Sequence, residues 1–193
     1  MGLTTIRDIV HTTWKVLQPL VMPEPTECVW KEIERGFCTR WNFPNTVRAL
    51  DGKHVVIEAP HNSGADFFCY KKYFSVVLLA LVDAEKKFIF VDVGGYGKNS
   101  DASIFNSSEL GRKLQDGTLN IPPAKKLPGT DVYLPHVIIG DEAFPLRTNI
   151  MRPYSRDDVL GKIEEKICNY RISRARNVVE NAFGILVRRF RIF

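Results

Sequence analysis

No run of about 18 apolar residues, the length a membrane-crossing helix needs, occurs in the 193-residue chain. Its first stretch, "MGLTTIRDIVHTTWKVLQPL", has no apolar block followed by a small-residue cleavage site, so no signal peptide is expected. "MGLTTI" loosely fits a myristoylation start, but no basic patch follows to reinforce a single acyl chain. Cysteine is sparse. Cys28, Cys38, Cys69 and Cys168 lie far apart, with no C-x-x-C pair, and His11, His54, His61 and His136 share no ligand spacing with them. Zinc is therefore a poor reading, and reduced thiols in an intracellular protein a better one. G-x-G-x-x-G, the phosphate-binding G-x-x-x-x-G-K-[ST] and G-x-S-x-G are also missing, which leaves a small-molecule α/β enzyme without support.

What is present is 45% hydrophobic residues, enough for one globular domain with a core. The net charge is +5, and its distribution is uneven. From Lys162 onward stand eight basic residues (Lys162, Lys166, Arg171, Arg174, Arg176, Arg188, Arg189, Arg191) and three acids (Glu164, Glu165, Glu180). That excess equals the whole net charge, so the first 161 residues are neutral. A polyanion such as DNA is the natural partner of such a segment; a solvated helix face is the plainer alternative.

Apolar spacing predicts helices over residues 3 to 17 and 25 to 40, with Pro23 and Pro25 between or at their ends. "VRALDGKHVVIEAP" is strand-like, and "YFSVVLLALVDAEKKFIFVDVGG" reads as two strands about a turn at 83 to 87. The unbroken apolar run "SVVLLALV" suggests a strand buried on both faces. A helix follows in "SDASIFNSSELGRKL", capped by Ser100 or Asp101. A long Pro- and Gly-rich loop then leads to a short strand in "HVIIGDEAF". The rest reads as helices over 157 to about 167 and about 173 to 191. Three antiparallel strands, a crossover helix and a fourth strand make an α/β fold, with the fourth strand parallel to the first.

That order brings acids together. Asp51 ends or interrupts "VRALD", Asp141 ends "VIIGD", and both would project at one edge of the sheet, where α/β proteins place their sites. Glu180 stands beside the stripe formed by Ile172, Ala175, Val179, Ala182, Phe183, Leu186 and Phe190. A helix packed by that stripe would turn Glu180 toward the strand ends. Converging carboxylates repel unless cations neutralise them, and hard oxygen ligands suit Mg²⁺ or Mn²⁺. Plainer roles also exist. Asp51 in "LDG" can be a turn residue, Asp141 a cap, and Glu180 a partner of Arg176 one turn back. Arg171, Arg174 and Arg176 read as phosphate contacts; Lys53, His54, Lys71 and Lys72 read as solvated groups at strand ends.

"ALDGKHVVIEAP", "GDEAFPL", "MRPY" and "NYRISRARNVVENAFGIL" together resemble the blocks of PIF/Harbinger-type DDE transposases and of the Harbinger transposase-derived nucleases, from about Thr26 to Phe193. The resemblance implies a ribonuclease-H-like mixed sheet flanked by helices, with residues 1–45 a helical lead-in and 46–193 the nuclease domain. It implies a metal-dependent endonuclease, a hydrolase of phosphodiester bonds. Asp51, Asp141 and Glu180 fall on its catalytic triad. Asp101 falls on a further acid assigned to metal binding in some members, and it is expected to matter less than the triad. Mg²⁺ or Mn²⁺ is the implied cofactor, with no small-molecule cofactor and no membrane. DNA and a Myb-like DNA-binding protein are the implied partners, and the nucleus the compartment, with the cytoplasm second.

Two departures mark this chain. Arg48 stands where the family usually has a small residue. The family also continues upstream into a helix-turn-helix-like region and downstream past "RRFRIF", so the chain is expected to be a fragment, a truncated gene model or a decayed remnant. An idle, domesticated DNA-binding or interaction module is the rival reading to an active nuclease.

Overall fold

The computed structural model describes residues 2–192. Two helices come first, α1 (Leu3–Val21) and α2 (Glu27–Trp41). The Thr26 side chain caps α2 by accepting from the Val29 amide, and Asn42 ends it in the left-handed conformation. Three strands follow: β1 (Thr46–Val56), β2 (Ser75–Val82) and β3 (Phe88–Tyr96). They form the expected antiparallel meander, with the β2–β3 turn closed by Asp83, whose Oδ1 accepts from the amides of Glu85 and Lys87.

The crossover is two short helices rather than one. α3 (Asp101–Ser107) stops at Ser108, and α4 (Glu109–Gln115) starts there. The cause is local: Ser108 Oγ accepts from the Gly111 amide and caps α4. The loop beyond holds a small hairpin, β4 (Lys125–Lys126) and β5 (Tyr133–Leu134), tied down by Asn45, which donates to the carbonyls of Lys125 and Leu134. The chain then enters β6 (Val137–Ile139), which pairs with β1 in parallel, and β7 (Ile150–Met151), parallel to β6. The sheet order is β3-β2-β1-β6-β7. A two-residue edge strand like β7 carries too little pattern to be read from sequence.

The last helix differs most from expectation. α5 (Ile163–Arg189) is one helix, not two. Residues 156–161 form turns instead of its first part, and Gly161, at φ +76°, supplies the break. Asn169 and Ser173 do not interrupt it. Asn169 uses its amide outside the helix, donating to the Tyr154 carbonyl and accepting from the Tyr154 amide, which fastens "MRPY" to α5.

β2 divides the core by alternation. Leu78, Ala80 and Val82 face Ile172, Ala175, Val178, Val179, Ala182 and Phe183 of α5. Val77, Leu79 and Leu81 face Trp30, Phe105, Leu110 and Phe144. "SVVLLALV" is thus covered on both sides, as its composition implies. From the predicted α5 stripe, Leu186 is only partly buried and Phe190 lies beyond the helix, exposed. Arg48 is 1% exposed, with its guanidinium carbon 3.9 Å from the centre of the Trp30 ring. Burial pushes its pKa down to about 9 against the pull of Asp83. The residue that stands out in the sequence therefore lies in the interior, where its cation is held by an aromatic face.

Candidate metal centre

The parallel pair places the first two acids. Ala49 and Ile139 are partners in register. Asp51 lies two residues beyond Ala49 and Asp141 two residues beyond Ile139, so both acids emerge beside one another where the parallel pairing has ended. β1 runs on through Asp51 without a turn, paired to β2 at Ala80. The turn reading of "LDG" is thereby replaced by a spatial one. An added Cβ on Gly52 would overlap both carboxylate oxygens of Asp101, so glycine is needed there to let α3 deliver Asp101 against β1. Ser100, not Asp101, caps α3, with Oγ accepting from the Ser103 amide. Asp101 is left free to join the other two.

Asp51, Asp101 and Asp141 each offer an oxygen, and these three atoms lie within 4.8 Å of one another. Asp141 keeps part of its expected capping role, since Oδ1 accepts from the Ala143 amide at 2.9 Å. Its Oδ2 is not used in that turn. The aspartates are half-buried, and the setting resists the ionisation of Asp51 and Asp101. Burial raises the Asp51 pKa to about 6, Arg176 opposes this, and Asp141 and Asp101 add to it. Burial also raises Asp101, helped by Asp141 and opposed by Lys71. Three acids under mutual repulsion and with hard oxygen donors form a fitting cradle for a divalent cation.

Glu180 is close by but not in that cluster. Its side chain is 55% exposed, and it reaches Asp51 through an intermediary. Arg176 Nη2 lies 3.5 Å from Asp51 Oδ2 and 3.4 Å from Glu180 Oε1. Because both contacts share one nitrogen, the two carboxylates lie well within the roughly 10 Å span expected around a two-metal site. The plain i−4 pairing of Glu180 with Arg176 is therefore real, and it also links α5 to β1. Asp101, not Glu180, supplies the third clustered oxygen, because α3 is pressed onto Gly52 while Glu180 sits at the solvent edge of α5.

The basic residues sort differently from the sequence reading. Arg176 is turned to the acids and only 15% exposed. Arg171 and Arg174 are exposed, and at about 100° per residue Arg174 falls roughly 160° around α5 from Arg176. Arg174 packs 5.7 Å over the Tyr170 ring. The three arginines do not share a face. Lys71 is exposed, in keeping with its reading as a solvated strand-end group, and its charge also acts on Asp101 and on His54. His54 is itself oriented by Ser75 Oγ at 2.8 Å. The signal for Lys71 was the alternation of bases and aromatics in "CYKKYF".

Residues 50–193 match the family model described as DDE superfamily endonuclease. The chain is also similar to Protein ALP1-like of Arabidopsis thaliana, with 27% identity over 200 residues covering all of this chain and 47% of that protein. It thus spans about half the length of the curated relative it matches. No solved structure matches it. DDE endonucleases normally use divalent metals, and the matched residues include Asp51, Asp101, Asp141 and Glu180. With this sheet and a match over most of its length, the chain belongs to the DDE superfamily endonuclease family.

Proposed function

We propose that this chain is a divalent-metal-dependent DNA endonuclease of transposase descent. Asp51, Asp101 and Asp141 hold Mg²⁺ or Mn²⁺, and Glu180 completes the site. The observation that carries this reading is the set of three aspartate oxygens within 4.8 Å, delivered by β1, the start of α3 and the end of β6. The donor set fits the ion: all are hard oxygens, and Gly52 keeps the cradle open. A divalent cation there would supply Lewis acidity toward a phosphodiester oxygen and lower the pKa of a water. The residues do the placing. Asp51 and Asp141 keep a separation fixed by the parallel register. Asp101 closes the third side. Glu180 brings a carboxylate to the solvent edge, where the DNA backbone would pass.

The positive C-terminal segment supports DNA as substrate. Exposed Arg171 and Arg174 suit phosphate contacts that hold DNA without reading bases. Arg176 acts through the acids instead. Target choice falls to a separate Myb-like DNA-binding partner, and the working compartment is the nucleus. Among the described residues, no helix is long and apolar enough to cross a membrane.

The test is nicking of supercoiled plasmid in Mn²⁺, with the metal removed by chelation as control. Asp51→Asn, Asp101→Asn and Asp141→Asn should each reduce nicking to background while leaving the fold intact. Asp101→Asn should be as severe as Asp51→Asn. Variants that cut as fast as the parent would show that the cluster is structural.

A further inference from the structure

Arg176 is the nearest cation to the acid cluster, and its geometry is unusual for a permanent strut. An arginine locked to a carboxylate uses two parallel N–H bonds of about 2.7–2.9 Å. Here Nη2 alone is shared between Asp51 and Glu180, at 3.5 and 3.4 Å. Its neighbour Nε is buried and has no acceptor. The guanidinium is held by charge and by its place on α5 rather than by a closed set of hydrogen bonds. The i,i+4 spacing keeps Glu180 within its reach whatever happens at Asp51.

We propose that Arg176 is an exchangeable counter-ion, which neutralises Asp51 and holds Glu180 aside while the aspartate cluster lacks a metal, and which gives up both carboxylates when a divalent cation enters. This rests on the metal reading above. The charged groups around Arg176 are Asp51 and Glu180 in contact, Asp141 and Asp101 behind Asp51, and Lys71 beyond Asp101. The side of Arg176 away from the acids offers it no other partner among the described residues. An incoming dication and the guanidinium compete for the same Asp51 charge. Arg176 is thus a positioning residue: it keeps the empty site from flying apart and sets the order in which carboxylates become available, the three aspartates first and Glu180 after them.

The experiment is Mn²⁺ titration of the full chain by calorimetry, paired with melting in chelator and in saturating Mn²⁺. Arg176→Gln should bind Mn²⁺ about two- to tenfold more tightly, because a competing positive charge of the strength of a partly exposed ion pair is gone. In chelator the same variant should melt below the parent, and saturating Mn²⁺ should close the gap. Arg176→Lys keeps the charge and should stay near the parent in both readouts. Glu180→Gln should weaken Mn²⁺ binding in the parent, where it removes a ligand and leaves Arg176 to Asp51 alone, and should weaken it less in the Arg176→Gln background, where only the ligand is lost. Mn²⁺ binding that Arg176→Gln leaves unchanged or weakens would overturn the exchange alone. So would Mn²⁺ binding that Glu180→Gln leaves unchanged or tightens, a result that needs no variant of Arg176 to fold. If the parent binds no Mn²⁺, the exchange and the metal reading fall together.

Discussion

Helices α1 and α5 both have apolar residues at helical spacing, and the fold uses them in opposite ways. In α5, Ile172, Ala175, Val178, Val179, Ala182 and Phe183 are buried against β1 and β2, and the edge of the same stripe carries Arg176 and Glu180 into the acid site. In α1 no residue is buried. Leu3 is 88% exposed and Leu20 72%, and its Arg7–Asp8 ion pair lies in solvent. Only Trp14 and Gln18 overhang the sheet, across a cleft of about 460 Å³ that Trp30 and Phe90 also line. An apolar stripe therefore tells that a helix has a side to bury, not that this chain supplies the cover. What fixes α5 is what lies beside it in the sheet.

The sharpest way to probe that contrast is to remove apolar volume from the buried helix. Ile172→Ala and Phe183→Ala should each cost about 2–5 kcal/mol, the range for large-to-alanine changes in a core, measured by denaturant unfolding. The expected cost is high because both side chains meet closely packed neighbours. Phe183 also packs against Phe88, with ring centres 5.8 Å apart and the rings tilted by 47°. Losses under about 1 kcal/mol at both positions would mean that α5 is no better anchored than α1.

A smaller effect should come from the edge of α5, where it meets charge instead of hydrocarbon. The folded pKa of Asp51, about 6, lies above its ordinary 3.8. The folded state then binds that proton more tightly than the unfolded chain does. Its contribution to stability is fully present below pH 3.8, shrinks as the pH rises, and is lost above about 6. A shift of this size corresponds to about 2–3 kcal/mol. Metal-free protein should lose stability across that window, and Asp51→Asn should flatten the loss. Added Mn²⁺ should restore stability above pH 6, where the carboxylate is ionised. A melting temperature that falls through the window in chelator by as much in Asp51→Asn as in the parent would remove Asp51 as the source.

The difference between the helices also marks what was legible in the sequence. The meander, the two-sided burial of "SVVLLALV" and the parallel fourth strand followed from period and order, because each is written in consecutive residues. Asp51 and Asp141 followed too, since a parallel register fixes where strand ends meet. The single length of α5 did not. Asn169 looks like a local break, yet its hydrogen bonds go to Tyr154, far along the chain. Nor did the place of Asp101 among the clustered oxygens. It depends on the missing Cβ of Gly52, a distance across the fold that no spacing encodes. The burial of Arg48 on Trp30 is of the same kind, a contact between β1 and α2 that no spacing encodes.

The smallest effect belongs to α1, and it is the one most able to break the contrast. Ile9→Ala and Leu17→Ala remove exposed methyl and methylene groups from a helix that buries none of its side chains. Little hydrophobic contact is lost, since about half of each side chain already faces water in the folded chain. Alanine is also the better helix former, so local propensity works slightly in favour of the variants. The change in unfolding free energy should stay within about 0.5 kcal/mol of zero. The Mn²⁺ affinity should be that of the parent, because no α1 residue lies among the clustered acids. A loss of 2 kcal/mol or more, in the range of core truncations, would show that α1 is covered in solution by something its own chain does not provide. Repeating the unfolding at several protein concentrations would then distinguish a second copy of the chain, whose cover weakens on dilution, from any cover within one molecule.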